Sequence, residues 1–189
     1  MKIGVIGSSG RGALAQRMSR PLYFAMVNDA HQLLDQARIR DDEIVELVSG
    51  GSAWADHVAV SLYLKGVADS LTLYLPCGYD AHQHKFIGPR GWLEGDAWVL
   101  NQRHDVFGLV MGRDPRLGIE DAVDRGAQLV TVVGGFLGRN LEVGRVDWLI
   151  AYTWDGTPEP QSPGTGHTWR HSGAARKTHR DLSRLAEGG

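Results

Sequence analysis

The stretch VELVSGGSAWADHVAV, Val45 to Val60, decides how the chain is read. Its opening is a short apolar run with two valines, the pattern of a buried β-strand. Ser49-Gly50-Gly51 then breaks the run as a turn. Ala53–Lys65 follows with Ala55, Val58, Ala59 and Leu62 at the i, i+3, i+4, i+7 spacing of one helix face. A strand that leaves through glycines toward a helix is half of a βαβ unit. The helix start carries partial positive charge and free N–H groups, so an anion lodged there is the expected reason for the glycines.

Working outward, the same alternation recurs. Strands are expected at Lys2–Ile6, Ile44–Val48, Ser70–Leu75, Leu129–Val133 and Trp148–Thr153. Helical spacing covers Tyr23–Arg38, Ala53–Lys65 and Ile119–Arg125, the last stopped by Gly126, and a helix is expected over His167–Leu185. Pro76–Trp92 reads as a long irregular connection, and Thr157–Gly166 as a Pro/Gly-rich loop within the domain. The fold class is therefore α/β: a Rossmann-like, doubly wound, mainly parallel sheet with helices on both faces, built as a single domain over residues 1–189. Such sheets bind ligands at the edge where their strands end.

Bulk properties narrow the function. A net charge of −2 gives no general drive toward nucleic acid or a membrane. No apolar run approaches the roughly 20 residues of a membrane span. The single cysteine, Cys77, excludes an internal disulfide and fits a reducing compartment. MKIGVIG reads as a strand and not a signal peptide, so the expected location is cytoplasmic.

Three glycine-rich turns fall on the ligand edge. They are GSSGRGA (Gly7–Ala13), SGGSAWAD (Ser49–Asp56) and SPGTGHTW (Ser162–Trp169). Backbone N–H groups of Gly7, Gly50, Gly51 and Gly164 can face a phosphate there. Ser8, Ser9, Ser49, Ser52 and Thr165 add hydroxyls, and Arg11 adds a charge-assisted donor. Close helix–strand packing is the other reason for such glycines. No Gly-Lys-Ser/Thr follows, so this is not a P-loop. The first turn reads G-x-x-G-x-G, which is not a dinucleotide fingerprint.

The chain resembles the SLOG superfamily, which includes the lonely-guy phosphoribohydrolases and the Rossmann domain of DNA-processing protein A. The resemblance is carried by GVIGSSGRG, LVSGGSAWADHVA, and GFLGRNLEVGRVDWLIAYTW (Gly135–Trp154) followed by PGTGHTW. It implies a small-molecule nucleotide as partner, cleavage or exchange of an N-glycosidic bond, and a homo-oligomer. In the phosphoribohydrolases an Arg and a Glu carry the chemistry. Arg139 stands at the Arg position, beside Asn140, but the Glu position falls on Thr168. Asp56 and His167 are then the candidate replacements, with Asp155 and Glu159 behind them. Two alternatives remain open: a non-catalytic nucleotide sensor and a DNA-processing module.

Other constellations are read as follows. Asp80, His82 and His84 are metal-ligand types, but no further ligand can be placed, so no metal and no cofactor is expected. Asn101 and His104 share a helix face, directed either to the ligand or to a helix surface. Trp54 and Trp169 are base-stacking, core or dimer-contact residues. The basic C-terminal segment with Arg170, Arg176, Lys177, Arg180 and Arg184 reads as a solvated helix.

Overall fold

The computed structural model of the chain describes residues 1–37, 44–89 and 95–187. The end of the expected helix at Arg38 and the end of the connection Pro76–Trp92 lie outside these residues. The strands are β1 (Lys2–Gly7), β2 (Glu46–Ser49), β3 (Ser70–Leu75), β4 (Gly78–Asp80), β5 (Lys85–Ile87), β6 (Gln128–Thr131), β7 (Trp148–Thr153) and β8 (Arg176–Asp181). The helices are α1 (Arg20–Ala37), α2 (His57–Leu64), α3 (Gly95–Met111), α4 (Arg116–Asp124), α5 (Gly135–Val143), α6 (Pro163–His171) and α7 (Leu182–Glu187), with a 3-10 helix over Gly12–Arg17.

Six strands form one parallel sheet in the order β6-β3-β2-β1-β7-β8. The α/β, doubly wound expectation is met. Alternation along each strand divides the core into two layers. Ile3, Val5, Leu47, Ile150 and Tyr152 join the layer that holds α1 to α4. Ile6, Val48, Leu149 and Ala151 join the other, with Val143 of α5 and Trp169 of α6. From β1 the chain winds outward through β2, β3 and β6, then returns to lay β7 on the other side of β1. The strand order thus reverses between β1 and β7. That switch point opens a crevice beyond the strand ends, where open α/β sheets place their ligands.

The structure corrects several expectations. His167–Leu185 is not one helix. α6 ends at His171, and β8 follows as an edge strand. The stem of Arg176 lies over Trp148, with its guanidinium carbon 3.7 Å from the ring centroid. Lys177 covers Trp169 and donates to that residue's carbonyl at 2.7 Å. These charges cover an edge and guard it against pairing with another chain. Within Pro76–Trp92, β4 and β5 form an antiparallel hairpin. Asn101 does not face a ligand: its amide brackets the Phe86 backbone, accepting at 3.0 Å and donating at 2.8 Å. Trp54 is a fully buried core residue, and Trp169 is also buried. Among the described residues no helix is long and apolar enough to cross a membrane, and no cluster of three metal-ligating side chains occurs.

Two histidines sit in the interior. His57 of α2 and His104 of α3 have ring centroids 6.2 Å apart and are at most 4% exposed. Burial first, and the neighbouring His104 second, hold His57 at about 3. Burial holds His104 at about 4, against the opposing effect of its hydrogen bond to the Leu100 carbonyl. Both would titrate near 6.5 in the unfolded chain. As pH falls through 6.5 the unfolded state takes up protons that the folded state refuses. Stability is therefore full above 6.5 and is lost progressively below it, at about 1.4 kcal/mol per pH unit for each histidine. The urea midpoint should fall steeply between pH 7 and 5. A midpoint that is flat over that range contradicts this account.

Candidate functional site

β1 ends at Gly7, and the chain turns over the sheet edge. A side chain at Gly7 would strike the Tyr152 carbonyl and lie 2.8 Å from the Ala55 Cβ. Glycine therefore lets this turn sit between β7 and the segment after β2. The Ser8 N–H donates to Tyr152 O at 2.8 Å, and the Ala55 N–H donates to Ser8 O at 3.3 Å. The loop is stitched to both neighbours before it reaches Gly10 and Gly12, which hold left-handed backbone at φ 69° and 59°.

At the switch point lies a cavity of about 640 Å³, within the range of small-molecule sites. One wall is the Gly7–Gly12 loop. A second is Gly50, Ser52 and Asp56. α5 contributes Phe136, Arg139 and Asn140, and α3 contributes Arg103. The remaining wall is Thr153–Asp155 with Ser162–Thr165 and Thr168 at the start of α6.

The floor is organised by one ion pair. Arg139 Nη1 lies 3.3 Å from Asp56 Oδ2 and donates to Gly50 O at 2.8 Å. Its Nε and Nη2 both donate to Asn140 Oδ1, at 3.1 and 2.9 Å. Asn140 Nδ2 in turn donates to Gly164 O at 3.3 Å. The line Asp56–Arg139–Asn140–Gly164 ties the turn after β2 to α5 and to the start of α6. Arg139 has five N–H donors and spends four here. One N–H and the charge remain for a ligand. Burial holds the Asp56 carboxyl above the usual carboxylate range, and Arg139 opposes that shift. Burial likewise lowers Arg139, with Asp56 opposing.

Two further cations line the cleft. Among the described residues Arg11 and Arg103 make no ion pair. Arg103 is lowered by burial first, then by repulsion from Arg139 and Arg11. Phe136 sits beneath two of them, 5.5 Å from Arg103 and 5.2 Å from Arg139. Three polar atoms in the wall are buried with no partner: Ser52 Oγ, Ser162 Oγ and Trp154 Nε1. Ser52 is only 3% exposed. Converging positive charge and unused buried donors are the chemistry of a site for an anion.

Sequence reasoning placed most of these residues. Gly7, Ser8, Ser9, Arg11, Gly50, Ser52, Asp56, Arg139, Asn140, Gly164 and Thr165 all line the cavity. Others it does not bring there. Ser49 is buried under the floor, where its hydroxyl lies 2.7 Å from Val5 O and 3.0 Å from Asp56 O. Gly51, at φ 64°, packs against Leu75. His167 stands outside the lining, its ring stacked at 4.2 Å on His171. Asn140 acts as a strut. Cys77 is buried beneath a different hollow, and burial pushes its thiol up to about 12, which leaves it without nucleophilic character. Thr168, expected from the resemblance to stand where the phosphoribohydrolases carry a Glu, lines the cleft at 2% exposure. Sequence reasoning missed Arg103 and Trp154. The signal for Arg103 was its place on α3 one turn from Phe107 and three residues from Leu100, on the flank of the buried face.

Gly50 is required by this arrangement. A methyl group there would collide with the Arg139 guanidinium and lie 2.7 Å from Asp56 Oδ2. Gly50→Ala should cost about 1–3 kcal/mol in urea unfolding. Asp56→Ala should cost about 3–5 kcal/mol, because it leaves Arg139 charged and buried without its partner. Wild-type stability in either variant contradicts the ion pair's role.

No protein-family profile matches the chain. An uncharacterised protein, R261, of Acanthamoeba polyphaga mimivirus is 29% identical to it over 191 residues, an alignment that covers 97% of each chain.

Proposed function

We propose that the chain is a nucleotide-binding protein of SLOG type that hydrolyses or exchanges the N-glycosidic bond of a nucleoside monophosphate or a nucleotide derivative. The observation that carries this reading is the convergence of Arg11, Arg103 and Arg139 on one cleft at the switch point, where the Ser52 and Ser162 hydroxyls have no partner. A phosphate takes the Arg11–Arg103 side, with N–H groups from the Ser8–Gly12 loop. The Trp154 and Phe136 rings offer flat apolar faces for a base, and Trp154 is itself capped by Arg17 at 3.8 Å. Arg139 supplies charge to the reacting centre through its one unspent N–H.

A second reading, a nucleotide sensor without turnover, is favoured by one specific observation. Thr168 stands where the resemblance puts the phosphoribohydrolase Glu, and Asp56 is tied to Arg139 and to the Ser52 N–H. The DNA-processing alternative is disfavoured by the net charge of −2.

The test is a thermal-shift screen with nucleoside mono-, di- and triphosphates and cyclic nucleotides, followed by chromatography of each hit for released base. A ligand of the folded state raises Tm by mass action. The expected result is a hit whose affinity falls about tenfold or more in both Arg11→Ala and Arg103→Ala, the scale of a lost charge-assisted hydrogen bond. Base release selects the enzyme and its absence the sensor. No shift with any nucleotide overturns both.

A further inference from the structure

The side chains of the cleft wall are rich in donors and poor in acceptors. Arg11, Arg103 and the last N–H of Arg139 donate, and so does the indole N–H of Trp154, which is buried with no partner. Two carboxylates line the cleft, Asp56 and Asp155. Asp56 is engaged by Arg139 and by the Ser52 N–H. Asp155 is held differently. Its Oδ2 accepts from the Thr153 hydroxyl at 2.7 Å, the Gln161 N–H at 2.9 Å and the Ser162 N–H at 3.4 Å. Its Oδ1 makes no hydrogen bond among the described residues. Three donors on one oxygen fix the carboxyl group and leave the other oxygen free to accept.

Ser162, whose N–H reaches Asp155, has a spare group as well. It is the N-cap of α6, where a serine hydroxyl commonly accepts from an N–H of the first turn. Here it makes no such bond, and its Oγ is buried with no partner. A hydroxyl both donates and accepts. The β7 side of the cleft therefore carries a fixed acceptor and an unused hydroxyl on neighbouring residues. A second cavity, of about 490 Å³ beside the end of β8, is lined by Asp29, Arg180 and Arg184. In that outer cavity Asp29 is held by the Tyr152 hydroxyl at 2.9 Å and by Arg180 at 3.1 Å, so it is no free acceptor.

The chemistry of Asp155 and Ser162 matches two adjacent hydroxyl groups. The edge of a guanine presents two parallel N–H donors and needs both oxygens of a carboxylate, and Oδ2 is already taken. A ribose presents a 2′,3′-diol, and nucleotide-binding α/β sheets use an acidic side chain on ribose hydroxyls. We propose that Asp155 Oδ1 and the Ser162 hydroxyl bind the 2′,3′-diol of ribose, so that the cleft takes ribonucleotides in preference to nucleotides that lack those hydroxyls. The assignment rests on the nucleotide reading above and adds the sugar to it. Asp155 and Ser162 are specificity residues, with Thr153 positioning Asp155.

The test is calorimetric titration of the full chain with adenosine and uridine 5′-monophosphates and with their 2′,3′-dideoxy counterparts. For both bases the ribonucleotide should bind about tenfold or more tighter, the scale of a hydrogen bond to a charged group. In Asp155→Asn the amide oxygen can take the three donors of Oδ2, which turns an N–H2 group toward the cleft and keeps Tm near wild type. Asp155→Asn combined with Ser162→Ala should bring the ratio close to one while affinity for the dideoxy compounds stays near the wild-type value. Equal affinities for ribo and dideoxy forms in the wild type overturn the sugar assignment and leave the nucleotide reading standing. A preference that survives the double variant, or that appears with one base and not the other, also overturns it. No binding of any of the four removes the nucleotide reading, and the sugar assignment falls with it.

Discussion

The ion pair between Arg139 and Asp56, closed over Gly50, is the contact on which the cleft depends. Asp56 belongs to the turn after β2 and Arg139 to α5, so the pair joins one face of the sheet to the other across the strand ends. Burying two charges costs several kcal/mol in desolvation, and only good geometry with further hydrogen bonds repays it. Here the guanidinium is bonded to a carbonyl, a carboxylate and an amide oxygen at once. Asn140 passes the constraint to Gly164 and so to the first turn of α6. An arrangement this interlocked places the α6 N-terminus and the glycine loop of β1 against a common space.

The electrostatics of that space follow from what the pair leaves over. Arg139 is largely neutralised by Asp56, but Arg11 and Arg103 are not balanced. Asp155 is the one other carboxylate in the wall, and it is turned toward Thr153 and the backbone of Gln161 and Ser162. The cleft is therefore positive on its β1–α3 side and carries a carboxylate on its β7 side. That polarity fits a ligand with an anionic end and a reacting centre some way from it.

Much of this was legible in the sequence, for identifiable reasons. Buried parallel strands read as apolar runs, so β1, β2, β3 and β7 stand out, and the Ser49-Gly50-Gly51 turn marks the edge. Gly50 gives room to the Arg139–Asp56 pair and Gly51 packs against Leu75, so close packing accounts for both glycines of that turn. β8 was hidden because an edge strand is built of charged residues whose stems lie on tryptophan rings, a pattern that apolar periodicity does not detect. Arg103 was hidden because α3 exposes Trp98, Val106 and Leu109, which blurs its buried face.

The central claim is that the switch-point cleft binds a phosphorylated nucleotide. Titration of the 15N-labelled chain with a purine nucleoside 5′-monophosphate, followed through its backbone amide signals, tests it most directly. The account predicts that the largest shifts fall on Ser8–Gly12, Gly164 and Thr165. Shifts confined to the outer cavity around Arg180 and Arg184, or no shifts at saturating nucleotide, would contradict it.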